Sequence, residues 1–203
     1  MKKKKIVLSQ RVDVIESYGE TRDSLDQNWT EFIVSLGMIP FPTPNFPDSL
    51  SDYLEVIQPD GILLTGGSGP VSYGGNSVKR DKTDDMLLAY AIGNKIPLMG
   101  VCRGMQSLGC FFGGVLEEIS NHIATNHPIS GKITRSVNSY HGWGFRQLDD
   151  NIFEILATSS DGMIEGICHR EHDFVGIMWH PERVSPFSEE DIALFQKTFQ
   201  KEG

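Results

Sequence analysis

Positive charge is scarce in this sequence. Eighteen lysines and arginines stand against 27 aspartates and glutamates, leaving a formal net charge of −9. A chain this acidic repels a phosphate backbone, which excludes nucleic acid as the main partner but leaves room for a small basic pocket. Long apolar runs are missing too. No segment approaches the roughly 20 residues a bilayer-spanning helix needs, so no membrane partner is expected. The lysine run at 2–5 precedes only the short apolar stretch "IVL", too brief for a secretory signal, and reads as a solvated end before the first strand. Cysteine is rare: Cys102, Cys110 and Cys168 form an odd set without framework spacing. That excludes a disulfide scaffold and points to reduced thiols in a cytoplasmic protein. Repeats and low-complexity linkers are also missing, and 203 residues suit one domain spanning 1–203.

What is present alternates between two periodicities. "KIVLS", "DGILLTGG" and "IPLMGV" read as buried strands. Between them, "SLDQNWTEFIVSLG" predicts a helix with Trp29, Phe32, Ile33 and Leu36 on one stripe, and "LSDYLEVI" and "RDKTDDMLLAYAIGNK" predict two more. The proline-rich "IPFPTPNFP" allows a short strand followed by an irregular connection, and the stretch 68–79 reads as a loop. Strands alternating with helices predict an α/β domain on a largely parallel sheet. After Gly114 the segments shorten and alternate, as antiparallel strands or a sheet edge would. "SEEDIALFQKTFQK" predicts a closing helix capped by Ser188, with Ile192, Phe195 and Phe199 facing inward.

Chemistry concentrates where strands end. In "GVCRG", Cys102 stands between Gly100 and Gly104 at a strand-to-helix turn, a position that exposes a nucleophile above a sheet. The helix N-terminus favours thiolate, and the backbone N–H of Arg103 points to where an oxyanion would develop. A buried structural cysteine beside close-packing glycines is the alternative. A thiolate nucleophile wants a histidine base and a carboxylate to orient it. "FVGIMWHPER" ends an apolar strand with His180 and Glu182, two residues apart and so on one side of an extended chain. Paired Gly66 and Gly67, just past another strand end, let a backbone N–H approach a ligand, and Gly67 is the candidate second oxyanion donor. Gln106 lies one helical turn after Cys102. Asn138, Ser139, Tyr140 and His141 sit at a further strand end, where ligands dock in α/β sheets. Cys168, His169 and His172, and the pair His122 and His127, match no common zinc spacing, so no metal and no cofactor are expected.

"GVCRGMQ" and "WHPE", preceded by "LTGG" and "VNSYH", resemble the class I glutamine amidotransferases, and "FFGGVL" and "DGMIEGI" fit their free-standing γ-glutamyl hydrolase branch. The resemblance implies a three-layer, flavodoxin-like fold with a largely parallel sheet and a short antiparallel portion. It implies hydrolysis of a small-molecule γ-glutamyl amide through a thioester on Cys102, with His180 as acid and base and Glu182 orienting it. Gly67 and Arg103 would hold the oxyanion, and Gln106 and the Ser139–Tyr140 backbone would bind the glutamyl head. Relatives often carry an acidic residue after the paired glycines, where this chain has Ser68-Gly69-Pro70. "SQRV", "YGETRDSLDQNW" and "SYHGWG" are most similar to members acting on a glutamylated nucleotide amidate. Its phosphates would need cations, for which Arg11 and Arg22, in or beside expected loops, are the candidates. A glutaminase subunit feeding a synthase, and a protein that only binds a glutamylated metabolite, are the competing readings. A homodimer is an open option for assembly.

Overall fold

The computed structural model describes residues 2–200. Its frame is a nine-stranded sheet in the order β4-β1-β5-β6-β13-β12-β11-β8-β9. The parallel half comprises β1 (Lys5–Leu8), β4 (Ile39–Pro42), β5 (Gly61–Leu64), β6 (Leu98–Val101) and β13 (Phe174–Ile177). The chain leaves β1 for β4 on one side and returns to β5 on the other, which is the flavodoxin-like order. The antiparallel half adds β12 (Ile164–His169), β11 (Phe153–Ser159), β8 (Ile123–Gly131) and β9 (Arg135–Tyr140). Two small ribbons stand apart: β2 (Arg11–Ile15) with β3 (Glu20–Ser24), and β7 (Glu117–Glu118) with β10 (Trp143–Gly144).

Helices cover both faces of the parallel half. α1 (Gln27–Ser35) and α5 (Glu189–Phe199) pack Trp29, Phe32, Ile33, Phe195 and Phe199 onto Ile6, Leu8 and Leu63. On the opposite face α2 (Pro47–Ile57), α3 (Val78–Asn94) and α4 (Arg103–Phe111) bury Leu50, Leu54, Leu87, Leu88, Met105 and Leu108 against Val7, Ile62 and Leu64. Successive residues of β1 and β5 thus point to opposite layers, as the period of a strand requires. Among the described residues no helix is long and apolar enough to cross a membrane.

Several local expectations need correction. α2 starts at Pro47, not Leu50, because proline's fixed φ and missing N–H suit the first helical position. α3 starts at Val78, where the Ser77 side chain accepts from the Arg80 N–H, so the 68–79 loop is shorter than expected. The lysine run is not wholly solvated. The Lys4 ammonium donates to the Phe199 carbonyl at 2.6 Å and Lys5 to that of Ile57, each satisfying a helix C-terminus. Ser188 precedes α5 but makes no cap bond; its hydroxyl accepts from Arg135 instead. Lys201, expected to close that helix, lies outside the described residues.

Candidate active site

The carboxyl ends of β1, β5 and β6 meet at the point where strand order reverses, and a cleft of about 620 Å³ opens there. Cys102 forms its floor. The residue joins β6 to α4 with φ 52° and ψ −108°, a strained turn that β-branched or bulky residues rarely adopt. Two glycines permit that turn. A Cβ on Gly104 would collide with the Leu64 carbonyl oxygen, and one on Gly100 would lie 2.6 Å from the Gly104 carbonyl oxygen. Helix α4 therefore rests directly on the ends of β5 and β6, with its N-terminus beneath the sulfur.

His180 follows β13, and its imidazole hydrogen-bonds the Cys102 sulfur. Its Nδ1 meets Glu182 Oε1 at 2.7 Å. The chain between them is not the extended strand end expected but a 3₁₀ turn over Pro181–Arg183, which brings the buried Glu182 carboxylate round to the ring. Two further contacts fix the histidine. The His180 N–H donates to Asn138 Oδ1 at 2.7 Å while Asn138 Nδ2 donates to the His180 carbonyl at 2.8 Å. A Cβ on Gly66 would come within 2.6 Å of His180 Cε1, so glycine there makes room for the ring. Tyr140 approaches the imidazole edge-on with centroids 5.6 Å apart, and the Arg183 guanidinium lies 4.4 Å over the Tyr140 ring.

The electrostatics follow. Burial pushes the Cys102 thiol up, but the hydrogen bond and charge of His180, with the Arg103 N–H, outweigh it and hold the thiol below its usual value. Burial pushes His180 down, yet its bonds to Cys102 and Glu182 raise the imidazole to about 9. Both shifts favour a thiolate facing an imidazolium. This arrangement supplies a nucleophile and an acid at once.

The remaining expected residues divide. Gly67, with φ 153°, and Arg11 and Tyr140 line the cleft. The Arg103 side chain does not. It turns into α3, where it pairs with Asp84 and with Asp81 at 2.5 Å, leaving its N–H at the sulfur. Gln106 is buried, and its Nε2 donates to the Trp143 carbonyl at 2.9 Å. Ser139 is buried and donates to the His122 carbonyl at 2.6 Å. The His141 ring packs toward Glu165 and its Nδ1 faces the Trp143 carbonyl at 3.1 Å. Arg11 and Arg22 sit on strands β2 and β3, not in loops; an exposed polar ribbon such as "ETRDS" carries no apolar alternation to announce it. Arg11 pairs with Asp13 at 2.6 Å beside the cleft, while Arg22 pairs with Glu20 at 2.7 Å away from its lining. Arg183 and Trp29 complete the wall without having been anticipated as site residues.

The histidines whose spacing matches no common zinc pattern behave in two ways. His169 Nδ1 accepts from the N–H groups of Glu171 and His172, closing a turn. His122 and His127 instead converge on Glu165, a residue that sequence spacing did not link to them.

The glutamine amidotransferase class-I family matches residues 13–201. The γ-glutamyl-CDP-amidate hydrolase of Campylobacter jejuni is 30% identical over 183 residues, covering 88% of this chain and 90% of that one. The γ-glutamyl-γ-aminobutyrate hydrolase of Escherichia coli O157:H7 is 26% identical over 207 residues, covering 81% and 80%. The crystal structure of a glutamine amidotransferase from Thermotoga maritima has the same fold, with a TM-score of 0.68, 17% identity, and coverage of 98% of this chain and 85% of that one. A cysteine nucleophile raised on a strand-to-helix turn, in a chain with this family match and these hydrolase relatives, makes the protein an amide hydrolase that belongs to the class I glutamine amidotransferases.

Proposed function

We propose that the protein hydrolyses the γ-amide of a glutamylated nucleoside diphosphoramidate, γ-glutamyl-CDP-amidate being the first candidate, releasing glutamate and cytidine diphosphoramidate within capsule phosphoramidate biosynthesis. The observation that carries this reading is the Cys102–His180–Glu182 chain at the floor of a cleft whose walls hold two arginines, Arg11 and Arg183. Cys102 attacks the γ-carbonyl carbon, and the N–H groups of Gly67 and Arg103 receive the developing oxyanion. As the carbon–nitrogen bond breaks, His180 gives its proton to the leaving nitrogen. The emptied imidazole then takes a proton from water, whose oxygen attacks the thioester and frees glutamate. Glu182 keeps the ring oriented and stabilises its charged form.

Arg11 and Arg183 suit the diphosphate because a guanidinium binds phosphate oxygens in pairs. Each is held beside an acid, Arg11 by Asp13 and Arg183 by Glu182 at 3.6 Å, so each has a defined position. Glutamate release measured on glutamine, γ-glutamyl-4-aminobutyrate and γ-glutamyl-CDP-amidate tests the reading. The nucleotide amidate is expected to give the highest kcat/KM, and Cys102→Ser to abolish release with the fold intact. Arg11→Ala or Arg183→Ala is expected to raise KM for that substrate roughly tenfold, the worth of one charge-assisted contact. Arg22→Ala should leave KM unchanged. Equal rates on all three substrates would overturn the assignment, and preference for glutamine would place the chain with the glutaminases.

A further inference from the structure

Four side chains that do not line the cleft meet in a knot largely closed to solvent. Glu165, on β12, is fully buried, and neither carboxylate oxygen has a hydrogen-bond partner. Three imidazole nitrogens surround its Oε1: His122 Nδ1 at 3.3 Å, His141 Nε2 at 3.4 Å and His127 Nε2 at 3.7 Å. All three nitrogens also lack a hydrogen bond. Bare acceptors do not gather in a protein interior without a cause, because each one left unpaired costs about 1–3 kcal/mol.

The outer nitrogens explain why the inner ones are bare. His122 Nε2 faces Asp161 Oδ2 at 3.0 Å, and His141 Nδ1 faces the Trp143 carbonyl at 3.1 Å. A carboxylate and a carbonyl can only accept, so those outer nitrogens carry the protons. In its neutral form His122 then presents a lone pair at Nδ1 to a carboxylate that also presents lone pairs, His127 Nε2 stands beside it without a hydrogen bond, and His141 faces the same oxygen as an ion-pair partner. Such a set repels itself unless a cation stands at its centre. An imidazole locked on its outer side by a carboxylate, as His122 is by Asp161, is a usual arrangement of a metal-ligating histidine.

We propose that His122, His127 and Glu165 bind a zinc-class divalent cation as a structural site, with water as the fourth ligand. Zinc held tetrahedrally at about 2.0–2.1 Å from each nitrogen separates its donors by roughly 3.3 Å, and the ligand atoms of these three residues already lie within 4.8 Å of one another. Two imidazoles and one carboxylate are borderline donors and select zinc over magnesium or calcium. The three ligands come from β8, the residue before it, and β12, with Glu165 far from the two histidines in sequence. The ion would therefore tie β8 to β12 across the intervening β11.

The test uses the full-length chain carrying Cys102→Ser, so that the thiolate cannot serve as a ligand. After chelation and dialysis, cobalt(II) titration should give saturable uptake of one equivalent, with the visible absorption of a tetrahedral centre and no sulfur-to-cobalt charge transfer. Zinc should displace it and raise Tm. Glu165→Gln and His127→Gln are expected to abolish the cobalt spectrum. Asp161→Asn, at an exposed carboxylate that only orients His122, should weaken uptake about 10–100-fold and gives a graded readout if the buried variants do not fold. Uptake unchanged in all three variants would overturn the proposal, as would cobalt binding confined to protein that retains Cys102. Absence of saturable uptake would overturn it as well, showing that shared protons, not a metal, satisfy the knot.

Discussion

His180 keeps a proton near neutrality only because two anions face it. Burial alone would lower an imidazole, and the Cys102 and Glu182 bonds reverse that, raising it to about 9. The consequence for rate has a definite sign. Below this value the imidazolium can protonate the leaving nitrogen; as pH rises through about 9 that acid is lost and kcat/KM should fall. At the acid end, protonating the thiolate removes the nucleophile. The two limbs belong to the coupled pair, not to either residue alone. Glu182→Gln deletes one of the two anions, so the alkaline limb should move to lower pH. A pH profile of glutamate release checks this, and an unmoved limb would show that Glu182 does not act on the His180 charge. Cys102, His180 and Glu182 were legible in the sequence because their signals are local: glycines two residues either side of the cysteine, and a carboxylate two residues after the histidine. The Asn138 clamp was not. It joins β9 to a residue just past β13, strands that lie four places apart in the sheet order and far apart in any local reading. The Glu165 knot escaped for the same reason, its ligands spreading from residue 122 to residue 165.

At the scale of elements, apolar periodicity was a good guide to β1, β5, β6, α1 and α3, whose cores make both faces of the sheet. It failed for the β2–β3 ribbon, whose second strand is exposed at four of five positions and so carries no burial signal. That ribbon still matters, since its first strand brings Arg11 to the cleft. Glycine behaves differently in α3 and α4. Gly104 in α4 touches the backbone of β5, so Gly104→Ala should force the helix away and destabilise the protein by about 1–3 kcal/mol or more. Gly93 in α3 is exposed, and a methyl group added there would meet nothing within 4 Å, so Gly93→Ala should stabilise by about 0.5–1 kcal/mol through helix propensity. Urea midpoints of the two variants should therefore move in opposite directions. A shift of the same sign in both would mean that close packing of α4 is not what glycine provides.

Across the whole molecule, a buried ionic network joins the layers beneath the cleft. Asp84 on α3 pairs with Arg80 at 2.9 Å and with Arg103 on α4, and Arg103 reaches Asp81 as well. Arg80 extends the network to the strands, donating to Ser9 Oγ at 2.7 Å after β1 and to the Thr65 carbonyl at 3.0 Å after β5. One carboxylate thus links the helix that carries Cys102 to the strand ends that frame the cleft. Burial brings the Arg80 guanidinium down to about 10 even with the Asp84 charge beside it. Removing Asp84 would leave two buried guanidiniums without their shared partner, a change that costs about 3–5 kcal/mol where one member of a buried pair is deleted. Asp84→Ala should accordingly lower the urea midpoint strongly. Any folded fraction should turn over slowly, because α4 loses the anchor that sets the position of the Cys102 turn. Arg22→Ala, which breaks only an exposed ion pair, should leave the midpoint within about 0.5 kcal/mol of the parent. Equal midpoints for Asp84→Ala and Arg22→Ala would mean that the layers are held by apolar packing alone and that the network contributes nothing to the placement of the nucleophile.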